Sequence, residues 1–112
     1  MKVDKIGADT HVVLRVEGEV DLKTSGGLRD EVQVVFREKP KALFIDLAAV
    51  GYMDSSGVAT LVEAFGLAGR AKIPFGLISP QSRVMDILSL AHLNDIFTIH
   101  VDESAARASL SR

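Results

Sequence analysis

The stretch "KALFIDLAAVGYMDSSGVATLV", residues 41–62, decides how this chain folds. Its opening, "KALFIDL" (41–47), is an apolar run too compact to hold a helix by itself and suited to a central strand. Beyond "YMDSSGV" (52–58) the apolar period changes: Val58, Leu61, Val62, Phe65 and Ala68 recur at helical spacing up to the breaker "GRAKIP" (69–74). A strand therefore passes into a helix that begins at or beside Ser55. An acid, two small hydroxyls and a glycine sit at the joint.

Working upstream, "THVVLRVEG" (10–18) alternates as a valine-rich strand, and "MKVDKI" (1–6) is placed to pair with it across the turn signal "GAD" (7–9). From Ser25 to Glu38, Leu28, Val32, Val35 and Phe36 share one helical face while Arg29, Asp30, Gln33 and Arg37 take the other; Lys39 and Pro40 end this helix. Downstream, "IPFGLIS" (73–79) reads as a strand. "PQSRVMDILSLAH" (80–92) reads as a helix with Pro80 at a tolerated early position and Val84, Ile87, Leu88 and Ala91 inward. "IFTIHV" (96–101) is the last strand, and Asp102 caps a short helix in "ESAARASLSR". Alternation of this kind implies right-handed crossovers onto a mostly parallel sheet, with the opening hairpin supplying a mixed edge. The expected class is α/β, with a mixed sheet of four to five strands and helices packed on it, in one domain over residues 1–112.

Composition narrows the function. A chain of 112 residues, 47% hydrophobic, is long enough to bury a core without staples. A net charge of -2 offers no basic surface for a phosphate backbone, so direct nucleic-acid binding is not expected. Cysteine is absent, which removes disulfides and thiolate metal sites and is compatible with a reducing compartment. No stretch has the length of a signal-peptide core or a membrane span, so a cytoplasmic protein without membrane insertion is the expectation.

In open sheets of this class, binding groups collect where strand carboxyl ends meet helix amino ends, and "MDSSG" (53–57) lies at such a place. A helix amino terminus leaves N–H groups that Asp54 or Ser55 could cap, but one cap accounts for only one such residue. A phosphate on a hydroxyl there would meet free N–H donors and the positive end of the helix dipole, worth ~0.3–1 kcal/mol for an exposed charge. It would also bring close to two negative charges into a nearly neutral patch, which a partner would feel. Catalysis finds less support. The serine pattern is not G-x-S-x-G, and His11, His92 and His100 fall in separate elements with no carboxylate relay. No zinc-protease, phosphate-loop or dinucleotide motif occurs, so neither a zinc protease nor a nucleotide enzyme has support. Asp46 ends an apolar strand as a receiver-domain phosphoacceptor would, but the opening hairpin argues against that fold and Asp46 reads as structural.

Three stretches carry a family likeness. "VEGEVDLKTSGGLRDEV" (16–32), "LFIDLAAVGYMDSSGVATLV" (43–62) and "GLISPQSRVMDILSLAHLNDIF" (76–97) together resemble a STAS domain of the free-standing anti-sigma factor antagonist type. The resemblance implies the STAS fold and a phosphorylated hydroxyl directly after the aspartate, here Ser55. It further implies a partner switch: the unphosphorylated protein binds an anti-sigma factor that is also a serine kinase and so frees the sigma factor. Phosphorylation of Ser55 ends that complex, and a metal-dependent serine phosphatase restores it. Asp21 and Thr24 match the loop near the phosphosite, while Asp54, Ser56 and Gly57 match the signature around it. For Asp21 a turn or cap role and a contact role stay open; Thr24 reads as a cap, and Gly57 as a site of close packing or partner approach. Related STAS proteins dock on the ATPase of ABC-type lipid transport complexes, and this is the alternative. The weakly charged face of "SGVATLVEAFGLAGR" (56–70) suits such docking, with Val58, Leu61, Val62 and Phe65 explained by the core and Ala64 and Leu67 less so.

Overall fold

The computed structural model describes residues 1–6 and 10–111. Strands β1 (Lys2–Ile6) and β2 (His11–Val20) pair antiparallel, Ile6 opposite Val13 and Lys2 opposite Glu17, which is the expected hairpin; its "GAD" turn lies outside the described residues. Helix α1 (Ser25–Arg37), strand β3 (Ala42–Met53), helix α2 (Ser55–Ala71), strand β4 (Phe75–Ile78), helix α3 (Ser82–Leu90), strand β5 (Ile99–His100) and helix α4 (Glu103–Ser109) follow. The strands stand in the order β1-β2-β3-β4-β5, parallel from β2 onward. This is the mixed, mostly parallel α/β sheet anticipated from the alternation of periods.

The two faces of the sheet are filled unequally. Val12, Leu14 and Val16 of β2 and Leu43, Ile45 and Leu47 of β3 meet Leu28 and Val32 of α1, Leu61 and Ala64 of α2, and Val84 and Leu88 of α3 in the main core. Val13, Phe44 and Ile78 face the other way, where Ala106 of α4 covers them. A strand buried on both faces needs apolar residues in succession, which explains why "VVL" (12–14) and "LFI" (43–45) run unbroken. Asp46 is the buried exception: its carboxylate accepts from the Ala48 N–H and from Arg15, and Arg15 also reaches Glu103 of α4, so the aspartate is structural here.

Several elements depart from the sequence-based boundaries. The middle strand continues past Leu47 to Met53, because β2 offers a partner all the way to Val20 opposite Met53. β3 gains one residue on β2 between Arg15 and Glu17 and another between Glu17 and Glu19, two bulges that bend the strand toward its carboxyl end. β5 is confined to Ile99–His100, while Phe97 is buried before it in a ring cluster with Phe65 and Phe75. Pro80 precedes the helix and its cap residue Gln81, and Ala91 is the exposed C-cap of α3. In α2 the buried stripe is Gly57, Thr60, Leu61, Ala64 and Ala68 with Val58, so Ala64 is core and Leu67 packs against it, whereas Val62 and Phe65 are 43% and 42% exposed. Small residues let the helix lie close to its neighbours and push the bulky ones to the flank.

Candidate functional site

Because β2, β3 and β4 are parallel, the helices that follow them all begin at one end of the sheet. The β2–α1 loop, the start of α2 and the first turns of α3 are thereby brought together. Val20 and Met53 are register partners, and the Asp54 N–H continues the pairing by donating to the Val20 carbonyl at 3.1 Å.

Asp54 is the N-cap of α2 and uses both carboxylate oxygens. Oδ1 accepts from the Ser56 N–H at 2.9 Å, the Gly57 N–H at 3.4 Å and the Ser56 hydroxyl. Oδ2 accepts from the Leu22 N–H at 3.1 Å and so ties the β2–α1 loop to the helix start. The Ser56 hydroxyl, followed by opposing partial desolvation and by the N–H groups of Ser56, Gly57 and Leu22, leaves the Asp54 pKa below the ordinary 3.8. The carboxylate is therefore ionised across the neutral range.

The two serines differ. The Ser56 hydroxyl donates to Asp54 and is half-buried. Ser55, the first residue of α2, is exposed, and neither its hydroxyl nor its N–H has a protein partner among the described residues. Since Asp54 occupies the Ser56 and Gly57 N–H groups, an anion on Ser55 would meet the helix dipole and fewer open donors than a bare helix terminus presents.

The loop before α1 is fixed internally. The Asp21 carboxylate accepts from the Lys23 and Thr24 N–H groups, and the Thr24 hydroxyl accepts from the Asp21 N–H at 2.9 Å and donates to the Glu19 carbonyl at 2.8 Å. Thr24 stands at the N-cap position but its side chain does not cap; it braces the turn instead, since its hydroxyl is already committed there. This framework holds Leu22 at 81% exposure. Gly57 is buried where α2 crosses β2, and a Cβ there would lie 2.5 Å from Met53 Cγ and 2.9 Å from Val20 Cγ1, which is the close-packing role. Asp21, Thr24, Asp54, Ser55, Ser56 and Gly57 thus gather at one place.

Sequence reading missed Leu22, Tyr52 and Leu90, exposed apolar side chains lining grooves beside that place. Among the described residues no His, Asp and Glu side chains gather in a group that could hold a metal ion, and no helix is long and apolar enough to cross a membrane.

The family model "STAS domain" matches residues 2–106. The chain is 31% identical over 87 residues to the anti-sigma-F factor antagonist RsfB of Mycobacterium tuberculosis, covering 78% of this chain and 70% of that one. The crystal structure of an anti-sigma factor antagonist from Mycobacterium paratuberculosis superposes with a TM-score of 0.89 at 24% identity, covering 99% and 94% of the two chains. The Bacillus cell fate determinant SpoIIAA in its phosphorylated form superposes with a TM-score of 0.75 at 17% identity, covering 96% and 99%.

Proposed function

The chain belongs to the STAS domain family, and from that premise we propose that it is an anti-sigma factor antagonist whose switch is phosphorylation of Ser55. The unphosphorylated protein binds an anti-sigma factor that is also a serine kinase and displaces the sigma factor from it. In the kinase's site the Ser55 hydroxyl attacks the γ-phosphorus of ATP. A bond from Oγ to phosphorus forms, the bond to the β-phosphate oxygen breaks, the hydroxyl proton passes to a kinase base and ADP leaves. A serine phosphatase returns the hydroxyl by hydrolysis. Both reactions belong to the partners, with ATP and metal.

The observation that carries this reading is the difference between the two adjacent serines: Ser56 is bound to Asp54, and Ser55 is exposed with its hydroxyl unengaged. Asp54 also explains why the phosphate acts outward. Its Oδ1 holds the Ser56 and Gly57 N–H groups and leaves only the Ser55 N–H open beside a phosphate, which is thus little absorbed by the domain and leaves roughly two negative charges on the contact face. A partner fitted to a hydroxyl would have to desolvate that charge beside Asp54, a penalty of several kcal/mol. The relative named an anti-sigma-F factor antagonist and the fold neighbour solved in a phosphorylated form support the same reading.

Docking on the ATPase of an ABC lipid transport complex is a second reading, favoured by one observation: Val62 and Phe65 of α2 stand partly in solvent. Affinity capture from native host extract with ADP, using wild-type and Ser55→Asp baits, separates the two. Recovery of a serine kinase by wild type alone, with phosphate mapped to Ser55 in wild type and in Ser56→Ala, supports the switch. Equal recovery of an ABC ATPase by both baits, or phosphate on Ser56, rejects it.

A further inference from the structure

On the second apolar face of the sheet, Val13 of β2, Phe44 of β3 and Ile78 of β4 are each at most 1% exposed, and the helix over them is α4, with Ile6 of β1 at the margin. The other three helices hold their places with large buried side chains: Leu28 and Val32 in α1, Leu61 in α2, Val84 and Leu88 in α3. In α4 the buried residue is Ala106, and Leu110 just past the helix end is half-buried. The rest of its attachment is ionic. Glu103 lies between two arginines, 3.2 Å from Arg15 of β2 and 3.0 Å from Arg107 one turn on, and Arg107 donates a long bond to the His11 carbonyl at 3.5 Å. The side chains of Arg15, Glu103 and Arg107 are 30–43% exposed, so water and salt reach them.

We infer that α4 is a lid that opens by itself, melting off the sheet while the strands beneath stay paired, and that the Arg15–Glu103–Arg107 ion pairs set how often it opens. A helix of seven residues does not persist alone in water, so leaving the sheet and losing the helix are one event. No strand has to part for it, because β5 and α4 are joined by the exposed pair Val101 and Asp102. The strands keep the main core on their other face. Arg15 stays in place when the lid is off, since the buried Asp46 carboxylate accepts from it and is itself fixed by the Ala48 N–H. The catch on the sheet is thus permanent, and only Glu103 and Arg107 come and go. Opening bares Phe44 and Ile78 without unfolding the domain.

Native-state hydrogen exchange of the full isotope-labelled chain, read by NMR at neutral pH over a series of low urea concentrations, tests this. The amides of Ala106 to Leu110 are expected to exchange at least about tenfold faster than those of Phe44 and Ile45 and to depend little on urea, as a local opening does. Glu103→Gln removes both ion pairs of the lid and keeps the Arg15–Asp46 pair; it is expected to speed the α4 amides about threefold or more and leave those of β3 unchanged. Arg107→Met and about 0.5 M NaCl should act in the same direction. Exchange of the α4 amides in step with β3, with the same urea dependence, overturns the inference. So do α4 rates unmoved by salt and by both variants.

Discussion

Gly57→Ala tests the geometry that places the helix. The added methyl would lie 2.5 Å from Met53 Cγ, 2.9 Å from Val20 Cγ1 and 3.1 Å from the Val20 carbonyl oxygen, and both neighbouring side chains are buried. Carbon contacts are favourable near 3.5–4.0 Å, so relief requires about 1 Å at Met53 Cγ and about 0.6 Å at Val20 Cγ1, shared among the helix start and the ends of β2 and β3. Overpacking of this kind costs about 1–3 kcal/mol. The 2.5 Å approach puts the cost in the upper half of that range, about 2–3 kcal/mol, and alanine recovers at most about 1 kcal/mol of helix propensity, leaving a net loss of roughly 1–2 kcal/mol. For a domain of this size that lowers Tm by about 5–10 °C. Thermal unfolding followed by circular dichroism, with a urea titration to confirm an unchanged m-value, measures it directly. A Tm equal to or above wild type would show that α2 accommodates the methyl and that glycine is not required for the crossing.

Three further outcomes are expected. The folded Asp54 pKa lies below 3.8, so the unfolded chain binds more protons between the two values. Its contribution to stability is thus complete above pH 3.8 and disappears as pH falls through the folded value; in Asp54→Asn the acid limb of a urea-midpoint profile should be flatter, and an identical limb would contradict the capping role. Asp46→Ala leaves the Ala48 N–H without its acceptor and should cost about 1–3 kcal/mol in urea unfolding, whereas a neutral result would deny it a structural role. Lys72, the C-cap of α2, sits at φ 58 and ψ 44, and Lys72→Gly should stabilise by roughly 0.5–1 kcal/mol; a lower Tm would refute that.

The fold was largely legible because its periods are clean: "KALFIDL" and the 3.6-residue pattern after it specify a strand and a helix without reference to anything distant. What distance controls was not legible. The continuation of β3 to Met53 depends on the bulged pairing with β2, which "AAVGY" (48–52) does not announce. In α2, apolar residues occupy two adjacent stripes, so periodicity alone cannot choose between Val62–Phe65 and Ala64–Leu67 for the core; the close approach allowed by Gly57 and Ala64 decides it. At the site, Asp54, Ser55 and Ser56 stood out as surplus hydroxyls and an acid at a helix start. That Ser56 is bound and Ser55 open follows from side-chain geometry, and so does the bracing role of Thr24. Leu22, Tyr52 and Leu90 passed unnoticed because an apolar residue in the sequence reads by default as core.

The strand order β1-β2-β3-β4-β5 bears on how the molecule assembles as it is synthesised. Every strand after the first pairs with the one made immediately before it, so no strand waits for a partner beyond the next crossover, and the parallel pairings join residues 22 to 33 apart. The sheet can grow vectorially from the hairpin, one crossover at a time, as the ribosome delivers it. The ion pair between Arg15 and Glu103 and the bond from Arg107 to the His11 carbonyl span the sequence, joining β2 to α4. Helix α4, which follows every other element in the chain, closes the face of the sheet that the earlier helices leave bare.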